Sequence, residues 1–134
     1  MIGGRRMRLD PARRSLPFAT VTPHDPLACD ELQMAVWVDR DRTELLLDYQ
    51  SGIVITETRA ADPRPEWARV VRELGSDASV GRVHGVPALV IQVGREGTHP
   101  ASVGFVLGNL YVVVYADYAP YSIPTLIRVA DSIS

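Results

Sequence analysis

Three histidines, one cysteine and a scatter of carboxylates are the groups in this chain that could hold a metal ion or move a proton. His24, His84 and His99 are far apart, with no i, i+4 histidine pair and no carboxylate at the spacing a metal motif needs, so they read as loop or strand-end residues. The densest polar cluster runs from His24 and Asp25 to Cys29, Asp30 and Glu31. A single cysteine beside a single histidine does not define a nucleophile and its base, and the cluster reads as a turn-forming loop. Ser51 sits in Gln50-Ser51-Gly52 rather than in the G-x-S-x-G setting that exposes a hydrolase serine between strand and helix. Gly94-Arg95-Glu96-Gly97 lacks the lysine and the following helix of a phosphate-cradling loop. No catalytic residue, cofactor or metal ligand is therefore assigned.

The tyrosines offer a different chemistry. Tyr111 and Tyr115 share one face of a strand, with Val113 between them, and Tyr118 and Tyr121 follow on the connection to the last helix. Such rings pack at a sheet margin with their hydroxyls wet, and tyrosine is also enriched where proteins bind partners or amphipathic ligands. Tyr111, Tyr115, Tyr118 and Tyr121 are the candidate ligand or partner surface.

The elements that must position these residues follow from hydrophobic period. Leu16 to Pro23 carries two prolines and is at best an edge strand. Leu32, Met34, Val36 and Val38 alternate with Gln33, Ala35 and Trp37, which gives a strand with one buried face. Leu45, Leu47 and Tyr49 continue the pattern after the polar turn at residues 39–42, and Ile53 and Ile55 resume it after Ser51-Gly52, completing a three-stranded meander. Asp62, with Pro63, Pro65 and Glu66, starts a helix whose apolar set is Trp67, Val70, Val71 and Leu74, and Gly75 ends it. Residues 85–93 are apolar on both faces and read as an interior strand. Val103 to Leu107 and Leu110 to Tyr115, joined by Gly108-Asn109, form the clearest hairpin. Ser122 and Pro124 open a last helix with the stripe Ile123, Leu126, Ile127, Ala130 and Ile133. Hairpin links between strands predict an α+β fold with a curved, mostly antiparallel sheet of six to seven strands, on which one mid-chain and one C-terminal helix pack.

Length and charge bound the rest. At 134 residues the chain suits one core, placed at residues 16–134, behind a basic arm at residues 1–15 that carries Arg5, Arg6, Arg8, Arg13 and Arg14 and is expected to be flexible. With 46% hydrophobic and 22% charged residues the composition is that of a globular protein. The net charge of −2 supplies no overall basic field for nucleic acid. A lone Cys29 excludes an intramolecular disulfide, and no apolar run is long enough to span a membrane.

Four short stretches together resemble a known family: Leu45-x-Leu-x-Tyr49, Val83-x-Gly85-x-Pro87-Ala88, Gly108-Asn109-Leu110-Tyr111 and Leu126-Ile127-x-x-Ala130-x-Ser132-Ile133. The family is the small extracytoplasmic domain at the C-terminal end of bacterial membrane proteins similar to anti-sigma factors. The resemblance implies a curved antiparallel sheet backed by helices and a non-enzymatic sensory or protein-interaction role, with a protein partner or a second copy of the chain as binding partner. It brings no catalytic residues. As written the chain has no signal peptide, which places it in the cytoplasm, whereas a fragment of a longer membrane protein would be extracytoplasmic. A small carrier is the alternative, with an apolar or lipid-like molecule held in the curved sheet by residues such as Leu47, Val90, Phe105 and Val114. An enzyme with a site assembled from distant residues is the second alternative.

Overall fold

The computed structural model describes residues 4–31, 34–59, 61–92, 100–116 and 121–134. Among them are eight strands, β1 (Arg5–Met7), β2 (Met34–Val38), β3 (Glu44–Tyr49), β4 (Ile53–Thr58), β5 (Ala78–Val83), β6 (Val86–Ile91), β7 (Ser102–Leu107) and β8 (Leu110–Ala116). Three helices accompany them: α1 (Leu9–Ser15), α2 (Arg64–Leu74) and α3 (Ile123–Asp131). All strand pairs are antiparallel and form one sheet in the order β1-β2-β3-β4-β8-β7-β6-β5. Two meanders, β1–β4 and β5–β8, therefore meet along their last strands. The α+β class is as expected; the strand count is eight instead of six or seven.

The two extra strands are the two edges. β1 is three residues long and two of them are arginine, and in β5 the polar Ser79 and Arg82 and the small Gly81 hide the alternation. Period-two reading needs a buried face, and neither edge has a full one. Residues 16–23, by contrast, form no strand; they are the extended first part of a strap that continues to residue 31. The strap pairs with the chain end at one point, where Thr22 and Ser134 exchange N–H···O=C bonds of 2.9 and 3.0 Å. The basic stretch expected as a flexible arm carries β1 and α1; Ala12 of α1 is fully buried and belongs to the core cluster.

One sheet face is covered along its length. Val36, Val38, Leu45, Leu47, Ile53, Ile55, Val103, Phe105, Val112 and Val114 form a single cluster with Ala12, Leu16 and Ala28 from the N-terminal segment and with Leu126, Val129, Ala130 and Ile133 from α3 and its end. The start of α3 is as the sequence dictates: Pro124 lies in the first turn and the Ser122 Oγ accepts the Thr125 N–H. At the start of α2 the Asp62 carboxylate accepts the Arg64 N–H at 3.0 Å, and Gly75 at φ 59° ends that helix. α2 links β4 to the far edge strand β5 across the second sheet face, where the Trp67 ring is buried beside Tyr111.

Candidate functional site

On the second face the register aligns side chains in rows across the sheet. Trp37 pairs with Leu46, Leu46 with Thr56, and Thr56 with Val113. The neighbouring row runs Ala35, Asp48, Val54 and Tyr115. Trp37, Leu46, Thr56, Val113 and Tyr115 are all partly exposed, and Val54 is buried between its neighbours. The opposite side of the same strands is core: Val36, Val38, Leu45, Leu47, Ile53, Ile55, Val112 and Val114 are each no more than 4% exposed. The strip from β2 to β8 is thus a rigid surface with an aromatic residue on either side and no described helix laid over its β2–β4 part.

The same face is filled differently towards β7. Gly104 pairs with Val113, and its missing side chain makes room for the Tyr111 ring: a Cβ placed there would lie 2.5 Å from the Tyr111 hydroxyl. Burial raises the Tyr111 hydroxyl pKa, which the adjacent Trp67 indole partly offsets without reaching good hydrogen-bond geometry. Tyr111 and Tyr115 accordingly share a face, as their spacing requires, but Tyr111 belongs to the contact with α2 and Tyr115 to the open strip. Tyr121 packs against the core cluster on the other side and donates its hydroxyl proton to the Ser51 carbonyl at 2.6 Å. Tyr118 lies outside the described residues, as do His99 and the Gly94–Gly97 loop.

The groups read for chemistry are mostly engaged in structure. The exposed His24 donates its backbone N–H to the Ser132 Oγ, and its ring meets the Ser134 Oγ at 3.1 Å. His84, in a left-handed conformation at φ 54°, ties the β5–β6 turn to α3 through the Asp131 carboxylate and the Ala130 carbonyl. The Ser51 Oγ donates to the Leu27 carbonyl at 2.6 Å, and Cys29 is exposed with its thiol facing the Pro26 carbonyl. No group of three or more His, Cys, Asp or Glu side chains suited to a metal ion occurs among the described residues. Leu47, Val90, Phe105 and Val114 stand in the packed interior at 6% exposure or less. Grooves lie elsewhere: one of about 340 Å3 is lined by Pro26, Leu27, Tyr49 and Ser51, and two lie on either side of the β7–β8 turn. One of about 430 Å3 is lined by Phe18, Val21, Leu107, Leu110 and Arg59, and one of about 330 Å3 by Arg59, Asp62, Arg64, Val106 and Tyr111.

Sequence reasoning passed over one titratable group of consequence. Glu57 is fully buried on the core face of β4, paired in register with Leu45 and Val112. Its Oε1 accepts the Val21 N–H of the strap at 2.7 Å, while its Oε2 has no hydrogen-bond partner among the described residues. Burial pushes its pKa up to about 7, against the opposing pull of the Val21 N–H and of the Arg13 guanidinium. Arg13 donates from Nη2 to the Thr22 Oγ1 at 3.0 Å, and its buried Nε is likewise unpartnered. Burial also raises the nearby Tyr49 hydroxyl, with Arg13 acting against it and Glu57 adding to it. The signal was present: the alternation Ile53, Ile55 carried one step further puts residue 57 on the same inward face.

Comparison with known protein families, with curated proteins and with solved structures finds no match to this chain.

Proposed function

We propose that this chain is a non-enzymatic sensory or protein-interaction domain, of the bacterial extracytoplasmic type its sequence resembles, and that a protein partner docks on the open strip between β2 and β8. The observation that carries this reading is the row Trp37–Leu46–Thr56–Val113 with Tyr115 beside it, partly exposed on strands whose other face packs into the core. Protein interfaces favour aromatic and aliphatic side chains on a pre-ordered backbone, because little conformational entropy is then lost on docking. The acid with the most displaced titration, Glu57, is sealed in the core and offers nothing to a substrate. Asp25 and Ser51, a carboxylate and a hydroxyl of the kinds that serve as base or nucleophile, here hold the strap in place.

Site-specific photocrosslinking in the source cell tests the reading. A benzophenone side chain at Trp37 or Leu46 is expected to give one discrete protein adduct, and the same group at the exposed Arg14 of α1 none. No adduct from the strip, or the same adducts from all three positions, would remove it.

A further inference from the structure

The two sheet edges differ in how they are protected. β1 is short and carries Arg5 and Arg6, a charged edge that discourages pairing. β5 pairs six residues for six with β6, from Ala78↔Ile91 to Val83↔Val86, with no bulge and no proline on the β5 side. The turn between them is the two-residue His84-Gly85, both with positive φ of 54° and 73°, so Val83 and Val86 form the hydrogen-bonded closing pair. The phase follows from that pair: Gly81 and Ser79 also bond inward, and the Gln92 N–H to Asp77 carbonyl bond of 2.7 Å continues it. Arg82 falls opposite Pro87, which has no N–H to offer. The N–H and C=O groups of Val80 and Arg82, and the C=O of Ala78, therefore point away from the sheet. The Ala78 N–H is already taken by the Gly75 carbonyl. On this open ladder Val80 is 56% exposed, more than any other large apolar side chain among the described residues.

We infer that β5 pairs with β5 of a second copy of this chain, antiparallel and about a two-fold axis at Val80. In that register Val80 donates to and accepts from Val80 of the second copy, and each Arg82 N–H meets the other copy's Ala78 carbonyl. The segment is self-complementary in this register. The two Val80 side chains cover each other, Ser79 lies opposite the small Gly81, and Arg82 lies opposite Ala78 rather than opposite another arginine. A two-fold pairing also removes the long unprotected edge, since β5 is no longer terminal once paired.

Sedimentation of the full chain from the low micromolar to the hundred-micromolar range, combined with amide hydrogen exchange, tests the inference. The chain is expected to dimerise, with the Val80 and Arg82 amides slowing about tenfold or more as dimer forms. Val80→Pro removes an outward donor and leaves the β5–β6 ladder intact, and Val80→Lys sets two cations face to face. Each is expected to weaken dimerisation at least tenfold with an unchanged circular dichroism spectrum. A wild-type chain that stays monomeric throughout, Val80 and Arg82 amides that exchange equally fast in dimer and monomer, or a dimer unaffected by Val80→Lys would each overturn it.

Discussion

At the scale of single residues, Glu57 is the clearest departure from what a sequence ordinarily permits: a carboxyl with no solvent exposure on the core face of a central strand. Its pKa stands near 7 in the folded chain against 4.5 for an ordinary glutamate, so between those two values the folded state holds a proton the unfolded state has released. Stability therefore falls as pH rises through that window, by about 3 kcal/mol over its full width. Arg13 and Tyr49 flank the carboxyl, and the Tyr49 hydroxyl, raised further by burial, stays neutral across that window. Glu57→Gln keeps an acceptor for the Val21 N–H and has no proton to lose. Urea titrations at pH 4.5 and pH 8 are expected to show the wild-type chain losing stability at the higher pH and the variant losing much less. Equal losses would mean that other groups carry the slope. Glu44, also raised by burial and by Asp39, contributes in the same direction to both proteins and drops out of the comparison.

At the scale of elements, local chemistry located whatever had a buried face and a punctuated end. β2, β3, β4, β7 and β8 were legible because alternation and turn residues agree there, and α2 and α3 because Asp62, Ser122 and the adjoining prolines mark their starts. α1 was hidden by its arginines, since only Leu9, Ala12 and Leu16 mark its inner side, and β5 by its edge position. The open strip was half legible. The spacing of Tyr111 and Tyr115 put them on one face, but that Trp37 and Leu46 join Tyr115 in adjacent rows depends on register between strands that only the fold supplies. The division of that face between open strip and α2 contact turns on Gly104. An added methyl there would meet the Tyr111 ring, with atoms at 2.5, 3.0 and 3.1 Å, and the ring is backed by Trp67. Gly104→Ala is expected to cost about 1–3 kcal/mol in denaturant unfolding, the range for overpacking a filled site. Combining it with Tyr111→Val should recover part of that loss, whereas strictly additive effects would show that the Tyr111 ring yields without strain.

At the scale of the whole molecule, the two meanders are joined along β4 and β8, and a second tie runs through the strap at residues 16–31. Its anchors reach across the chain: Thr22 to Ser134, Val21 to Glu57, Leu27 to Ser51, and Asp25 to Arg128. The last spans 103 residues, with Arg128 Nε 2.7 Å from the Asp25 Oδ2. Burial alone would raise the Asp25 pKa, but Arg128 and the Leu27 N–H more than compensate and hold it below the usual value of 3.8. A carboxyl depressed in the folded state stabilises the fold above its unfolded pKa, and that contribution disappears as acid protonates it. Arg128→Ala leaves a carboxylate that is 4% exposed with backbone donation only, while the lost guanidinium was itself largely in solvent, so a modest loss of stability is expected at pH 7. That loss should shrink as the pH falls from 7 towards 2 and acid begins to protonate Asp25. A gap that stays constant between the two pH values would show that Arg128 supports the strap by covering apolar surface with its aliphatic stem instead of by its charge.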